Sequence, residues 1–76
     1  PFNPITNIIY SLPKMSKIRL TIYDMTGREI VEIYNGTQSP GYHTINWDAS
    51  DNASGIYFIK MEADNFLQLQ KLMLIK

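Results

Sequence analysis

The side chains that could carry out a reaction are few in this sequence. His43 is the single histidine, and there is no cysteine. A cysteine–histidine pair and a thiolate metal site are both excluded. A serine nucleophile needs a base, an orienting acid and an oxyanion hole, and no serine here has a recognisable elbow around it. His43 lies within Gly41-Tyr42-His43-Thr44 and reads as a structural histidine, hydrogen-bonded near a sheet edge. Asp48 and Asp51 share a polar stretch with Asn52, and closely spaced oxygen ligands can hold calcium. The stretch lacks the order of an EF-hand loop, and no bidentate glutamate follows at the right distance. Turn-forming and loop-capping roles account for the same residues. The reading is therefore of a chain with no catalytic residue and no cofactor, in which Asp48 and Asp51 are the candidate metal ligands.

Recognition is the other chemistry available. Trp47 shares a strand face with His43 and Ile45, which suits a core anchor; exposed, it would suit a sugar platform. Tyr23, Tyr34 and Tyr42 fall on faces expected to be exposed, as a recognition patch or as ordinary cross-strand pairs. Arg28 follows the Asp24 turn and is expected to pair across the hairpin with a carboxylate. The run Lys71-Leu72-Met73-Leu74-Ile75-Lys76 is apolar between two lysines. Four adjacent apolar side chains resist solvation, so the run must pair into a sheet. It suits an address read by a partner, and equally a last core strand whose lysines discourage aggregation.

The elements that hold these residues follow a period of two. Thr6, Ile8, Tyr10 and Leu12 share one face of a first strand, and Pro13 breaks it, since proline cannot donate into a central ladder. Ile18, Leu20 and Ile22 alternate with Arg19, Thr21 and Tyr23, the pattern of a strand with one buried face. Asp24-Met25-Thr26-Gly27 suits a type I turn with glycine in the left-handed position. Residues 17–34 thus read as a hairpin, with Asn35-Gly36 and Ser39-Pro40-Gly41 as the next turns. Strands are expected over Tyr42 to Trp47, Ile56 to Met61 and Phe66 to Ile75, with a long polar loop over 48–55. In the second of these, Tyr57, Ile59 and Met61 form one face and Ile56, Phe58 and Lys60 the other. No segment has a helical period. Six or seven short strands with a turn about every ten residues predict an all-β fold, a small antiparallel immunoglobulin-like β-sandwich.

Size and charge set outer bounds. Seventy-six residues make at most one domain. A chain of this length buries roughly 60–65% of its unfolded surface, so its core is marginal. Seven basic residues balance seven acidic ones, which is not the footprint of a nucleic-acid binder. No apolar run reaches the ~18 residues of a membrane span, and no segment has the make-up of a signal peptide. The opening Pro1-Phe2-Asn3-Pro4, without an initiator methionine, reads as part of a longer protein, cut from its end or matured from it.

The order of these pieces resembles a known family. Pro1-Phe2-Asn3-Pro4, Thr6-x-Ile8-x-Tyr10-x-Leu12-Pro13, Ile18-x-Leu20-x-Ile22-Tyr23-Asp24-x-x-Gly27-Arg28, Gly41-x-His43-x-x-x-Trp47-Asp48, Ser54-Gly55-Ile56-Tyr57-Phe58 and Lys71-Leu72-Met73-Leu74-Ile75-Lys76 together resemble the type A C-terminal sorting domain of type IX secretion substrates. They are also similar to the related FlgD-type immunoglobulin-like domain. Where family members often carry glycine after Trp-Asp, this chain has Ala49.

The resemblance implies a non-catalytic sorting domain over residues 1–76, joined to an upstream cargo in a secreted protein of Bacteroidota or related bacteria. It implies passage through the periplasm and outer membrane to the cell surface or medium. The implied partners are the outer-membrane translocon and a sortase-like peptidase, with residues 71–76 as the element read. It implies structural roles for Asp24, Gly27, Arg28, Gly41, His43, Trp47, Asp48, Gly55 and Tyr57. The alternatives are a structural or adhesive immunoglobulin-like module and a carbohydrate-binding accessory domain of a secreted enzyme. The second of these needs Trp47 and two tyrosines on one outer face.

Overall fold

A computed structural model describes residues 5–64 and 67–75. The described chain is all strand and connection, with strands β1 (Ile5–Leu12), β2 (Ser16–Asp24), β3 (Glu29–Gln38), β4 (Gly41–Asp48), β5 (Gly55–Glu62) and β6 (Leu67–Leu74). They form two antiparallel sheets, one of two strands in the order β1-β4 and one of four in the order β3-β2-β5-β6. The sheets face each other across one core, so the expected small β-sandwich is what the chain forms.

The core follows from the period of two. Ile8, Tyr10 and Leu12 of β1 and Trp47 of β4 meet Ile18, Leu20, Ile22, Tyr57, Ile59, Met61 and Leu74 from the larger sheet. Alternation places each of these sets on one face of its strand, and burying each large apolar side chain contributes about 1.5–3 kcal/mol. Chain crossings between the sheets occur after β1, β3 and β4. The pairs β2–β3 and β5–β6 are neighbours in both sequence and sheet.

Three details depart from the expectations. Asn35-Gly36 is not a turn but lies inside β3, where Asn35 pairs with Arg19 and Gly36 with Ile18. The Tyr34 side chain folds over Gly36, and its hydroxyl donates to the Thr37 carbonyl at 3.2 Å. A Cβ on residue 36 would stand 3.1 Å from the Tyr34 hydroxyl, so glycine here serves close approach and not chain reversal. Tyr34 itself packs against the core and is not part of an exposed aromatic patch. Thr21 is fully buried although it lies on the opposite face of β2 from the core residues, because β2 has strands on both sides and its outer face is covered by their side chains. The outer face of the large sheet is thus closed at its middle, which a one-faced reading of β2 missed.

Candidate functional site

Most of the single residues picked out in the sequence hold the turns and loops of the sandwich. Asp24 organises the β2–β3 hairpin. Its Oδ1 accepts hydrogen bonds from the Thr26 amide (2.9 Å), the Thr26 hydroxyl (2.6 Å) and the Arg28 amide (3.0 Å). These bonds, the Thr26 hydroxyl first, hold the Asp24 carboxyl below the ordinary aspartate range. Arg28 pairs with the Asp24 carboxylate at 3.4 Å, and its carbonyl accepts from the Asp24 amide at 2.9 Å, so the expected pairing with a carboxylate across the hairpin is made at its turn end. Gly27 has φ of +90°, which an L side chain adopts only with strain. The predicted turn is therefore the one formed.

Gly41 opens β4 and Gly55 opens β5. His43 contacts the Ser39 carbonyl through Nε2 at 2.7 Å. A carbonyl can only accept, so Nε2 carries the proton in this contact. The imidazole also stacks on Tyr10, with ring centroids 5.4 Å apart. It thereby ties the crossing after β3 to the small sheet, the edge role expected of it. Trp47 is buried and meets Tyr57 edge-on at 5.2 Å, so it offers no exposed platform for a sugar ring. The Tyr57 hydroxyl donates to the Ala53 carbonyl at 2.6 Å, pinning the 49–54 loop to β5.

Asp48 works as a loop cap. Its Oδ1 accepts from the Ser50 amide at 3.0 Å and from the Ser50 hydroxyl, and Asn52 N–H bonds the Ala49 carbonyl at 3.0 Å. Ala49 is completely buried, and no described non-glycine residue has positive φ. Alanine therefore fits this position without backbone strain. Asp51 is exposed on the same loop. Among the described residues no three histidine, cysteine or acidic side chains converge as a metal site.

The run 71–76 is shared between the core and the surface. Lys71 to Leu74 end β6, Ile75 follows the strand, and Lys76 lies outside the described residues. The apolar run does pair into a sheet, against β5, with Leu72 opposite Tyr57 and Leu74 opposite Gly55. Its two faces differ. Leu74 is buried and Leu72 packs against the core. Met73 and Ile75 are 64% and 66% exposed, and Lys71 between them and Leu69 is exposed as well. The outward row of β6 is therefore Leu67, Leu69, Lys71 and Met73. The other edge of β6 has no partner among the described strands, so it presents free backbone donors and acceptors.

The family profile described as the secretion system C-terminal sorting domain matches residues 1–76. The chain belongs to that family. This sorting domain carries a type IX secretion signal: it is a non-catalytic kind of domain, it engages the type IX machinery, and it marks proteins for the cell surface or for release. No curated protein and no solved structure matches the chain.

Sequence reasoning missed one cluster. Arg19 stands on the outer face of β2 with Glu32 at 2.6 Å, Glu29 at 3.4 Å and Glu62 at 3.6 Å. Lys60 lies 3.5 Å from Glu62 and 5.0 Å from the centre of the Tyr23 ring. The hydrogen bond from Arg19 comes first among the causes that hold the Glu32 carboxyl below its usual range, followed by one from Asn35. The signal was present as alternating charge on β2, β3 and β5, but only the strand order and register bring those charges together.

Proposed function

We propose that residues 1–76 act as one non-catalytic unit that carries a covalently attached cargo through the outer membrane, with β6 as the element read by the translocon. One observation supports this reading above others: β6 divides its residues between two tasks. Leu72 and Leu74 fix the strand into the sandwich, while Met73 and Ile75 point to solvent beside an unpaired edge. An edge with free backbone groups accepts an extended partner strand, and the exposed side chains supply selectivity. Lys71 keeps the strand soluble before capture and favours an acidic group on the reader. A sortase-like peptidase then separates the cargo from the domain at the outer surface. Asp24, Gly27, Arg28, Gly41, His43, Trp47, Asp48, Gly55 and Tyr57 serve this role indirectly, by holding the sandwich that presents β6.

The test is export of a fluorescent cargo fused to the 76 residues in a type IX-competent host. Removing residues 71–76 should leave the cargo in the periplasm. Because Leu72 and Leu74 are core residues, that deletion also threatens the fold. The sharper variant is Met73→Glu combined with Ile75→Glu, which alters only exposed positions. Periplasmic retention with an unchanged circular dichroism spectrum is the expected result, and normal export of this double variant would refute the reading.

A further inference from the structure

The two sheets are unequal, and the mismatch leaves a groove. Two strands face four. At one side β4 lies against β3, where Trp47 and Asp48 border Ile30 and Val31. At the other side β1 stops short of β6, and a groove of about 440 Å³ opens between them. Its floor is apolar, from Ile8, Tyr10, Leu20, Ile59 and Met61. Its far wall is formed by Gln68, Leu69 and Gln70 of β6.

Two features point to what would fill it. The first is the edge of β1. One side of that strand pairs with β4 along its whole length, from Ile5 opposite Asp48 to Leu12 opposite Gly41. The other side has no partner among the described strands, so its amides and carbonyls call for an extended backbone. The second is charge. None of the residues lining the groove is charged, and β1 itself, Ile-Thr-Asn-Ile-Ile-Tyr-Ser-Leu, has no acidic or basic residue. The other three edge strands each carry charge: Glu29 and Glu32 on β3, Asp48 on β4 and Lys71 on β6. An occupant with charged side chains would lose hydration here without a counter-charge.

We propose that the β1–β6 groove is an acceptor site for an extended, uncharged strand of another polypeptide. The strand adds to the free edge of β1 as the third strand of the small sheet. Its alternate side chains are apolar and descend towards Ile59 and Met61, and its backbone and polar side chains meet Gln68 and Gln70. The groove shares Leu69 with the outward row of β6, but the proposal does not rest on the sorting role. The groove volume lies in the range of roughly 300–1,000 Å³ typical of ligand pockets.

The experiment is a nuclear magnetic resonance titration of the isotope-labelled chain. The probe is an eight-residue, end-blocked peptide of alternating threonine and valine. Saturable binding is expected, with shifts concentrated at Asn7 to Ser11 and at Gln68 and Gln70. Binding should weaken at least about tenfold when two valines of the peptide become glutamate, or when Gln70→Glu brings a charge to the groove wall. Gln70 is exposed, so the fold should survive; if Gln70→Glu disturbs the spectrum of the free chain, Gln68→Glu repeats the test. No saturation at millimolar peptide overturns the proposal, as do shifts centred on β3 or equal binding of the charged peptide. A concentration-dependent dimer of the free chain paired through β1 also overturns it, because the occupant is then a second copy.

Discussion

The large sheet has two unlike margins. On the β3 side the outer face is charged, with Arg19 held among Glu29, Glu32 and Glu62. On the β6 side the outer face is a row of exposed apolar residues, Leu67, Leu69 and Met73, interrupted by Lys71. Neither margin has a further partner among the described strands. Charge on the first discourages a hydrophobic strand from docking, since such a strand would desolvate carboxylates and a guanidinium. The second keeps a single deterrent charge and an otherwise adhesive face. The charged margin thus disfavours a docking strand more than the apolar one does, and the apolar margin is the one for which we propose recognition.

The largest effect should come from the inner face of β6. Leu74→Ala removes a buried side chain next to the last core contacts, and a loss of about 2–5 kcal/mol is expected in urea unfolding. For a core this small, much of the chain should then be unfolded at ambient temperature. An unchanged midpoint would mean that β6 is held by its backbone alone, and the contrast between its two faces would collapse.

A smaller effect belongs to the charged margin. Arg19→Met removes the cation from Glu29 and Glu32 and leaves Glu62 with Lys60 alone. The thermal midpoint should fall, by less than for Leu74→Ala, because the group is well exposed and salt already screens such pairs. Added salt should narrow the gap between the variant and the parent chain.

The acid limb of the same network gives a still smaller signal. Arg19 holds the Glu32 carboxyl below its ordinary range. A lowered folded-state value means that this contribution is complete above the unfolded glutamate range and is lost as pH falls through the folded value. A carbon-detected titration should find Glu32 titrating at lower pH than an unpaired glutamate, and Arg19→Met should return it upward. Glu32 at its ordinary value in the parent chain would show that the close contact is not maintained in solution.

The smallest effect on stability is expected at Met73. Its side chain is exposed on the outer row, so Met73→Ala should change unfolding free energy by no more than about 0.5 kcal/mol. Set beside Leu74→Ala, one position away, this pair measures directly how β6 separates holding from presenting. Comparable losses at both positions would indicate that the outer row is packed.

Strand alternation was readable because each face of a strand repeats every second residue; the sequence grouped Ile8, Tyr10 and Leu12, and Tyr57, Ile59 and Met61, each on one face, and the structure shows which faces turn inward. The Asp24–Gly27 turn was readable for a local reason: an aspartate that caps its own turn and a glycine at positive φ are decided within five residues. Asn35-Gly36 misled because the same dipeptide serves a chain reversal or a close approach. Here the ladder to Arg19 and Ile18 and the Tyr34 ring decided for the latter. Thr21 was read as outward, and so it is, yet a central strand buries its outward residues too. The address run 71–76 was legible as apolar and paired, but its division into Leu72 and Leu74 within and Met73 and Ile75 without depended on the register against β5.

The sequence alone determined an all-β sandwich, the grouping of side chains on strand faces, its main hairpin turn and the family to which the chain belongs, because these rest on residue type and short-range spacing. The strand order, the company Arg19 keeps, the uncharged groove beside β1 and the free edge of β6 were decided only by tertiary structure. Each arises where strands distant in sequence become neighbours, and a period-two pattern fixes which way a side chain faces without fixing what it faces.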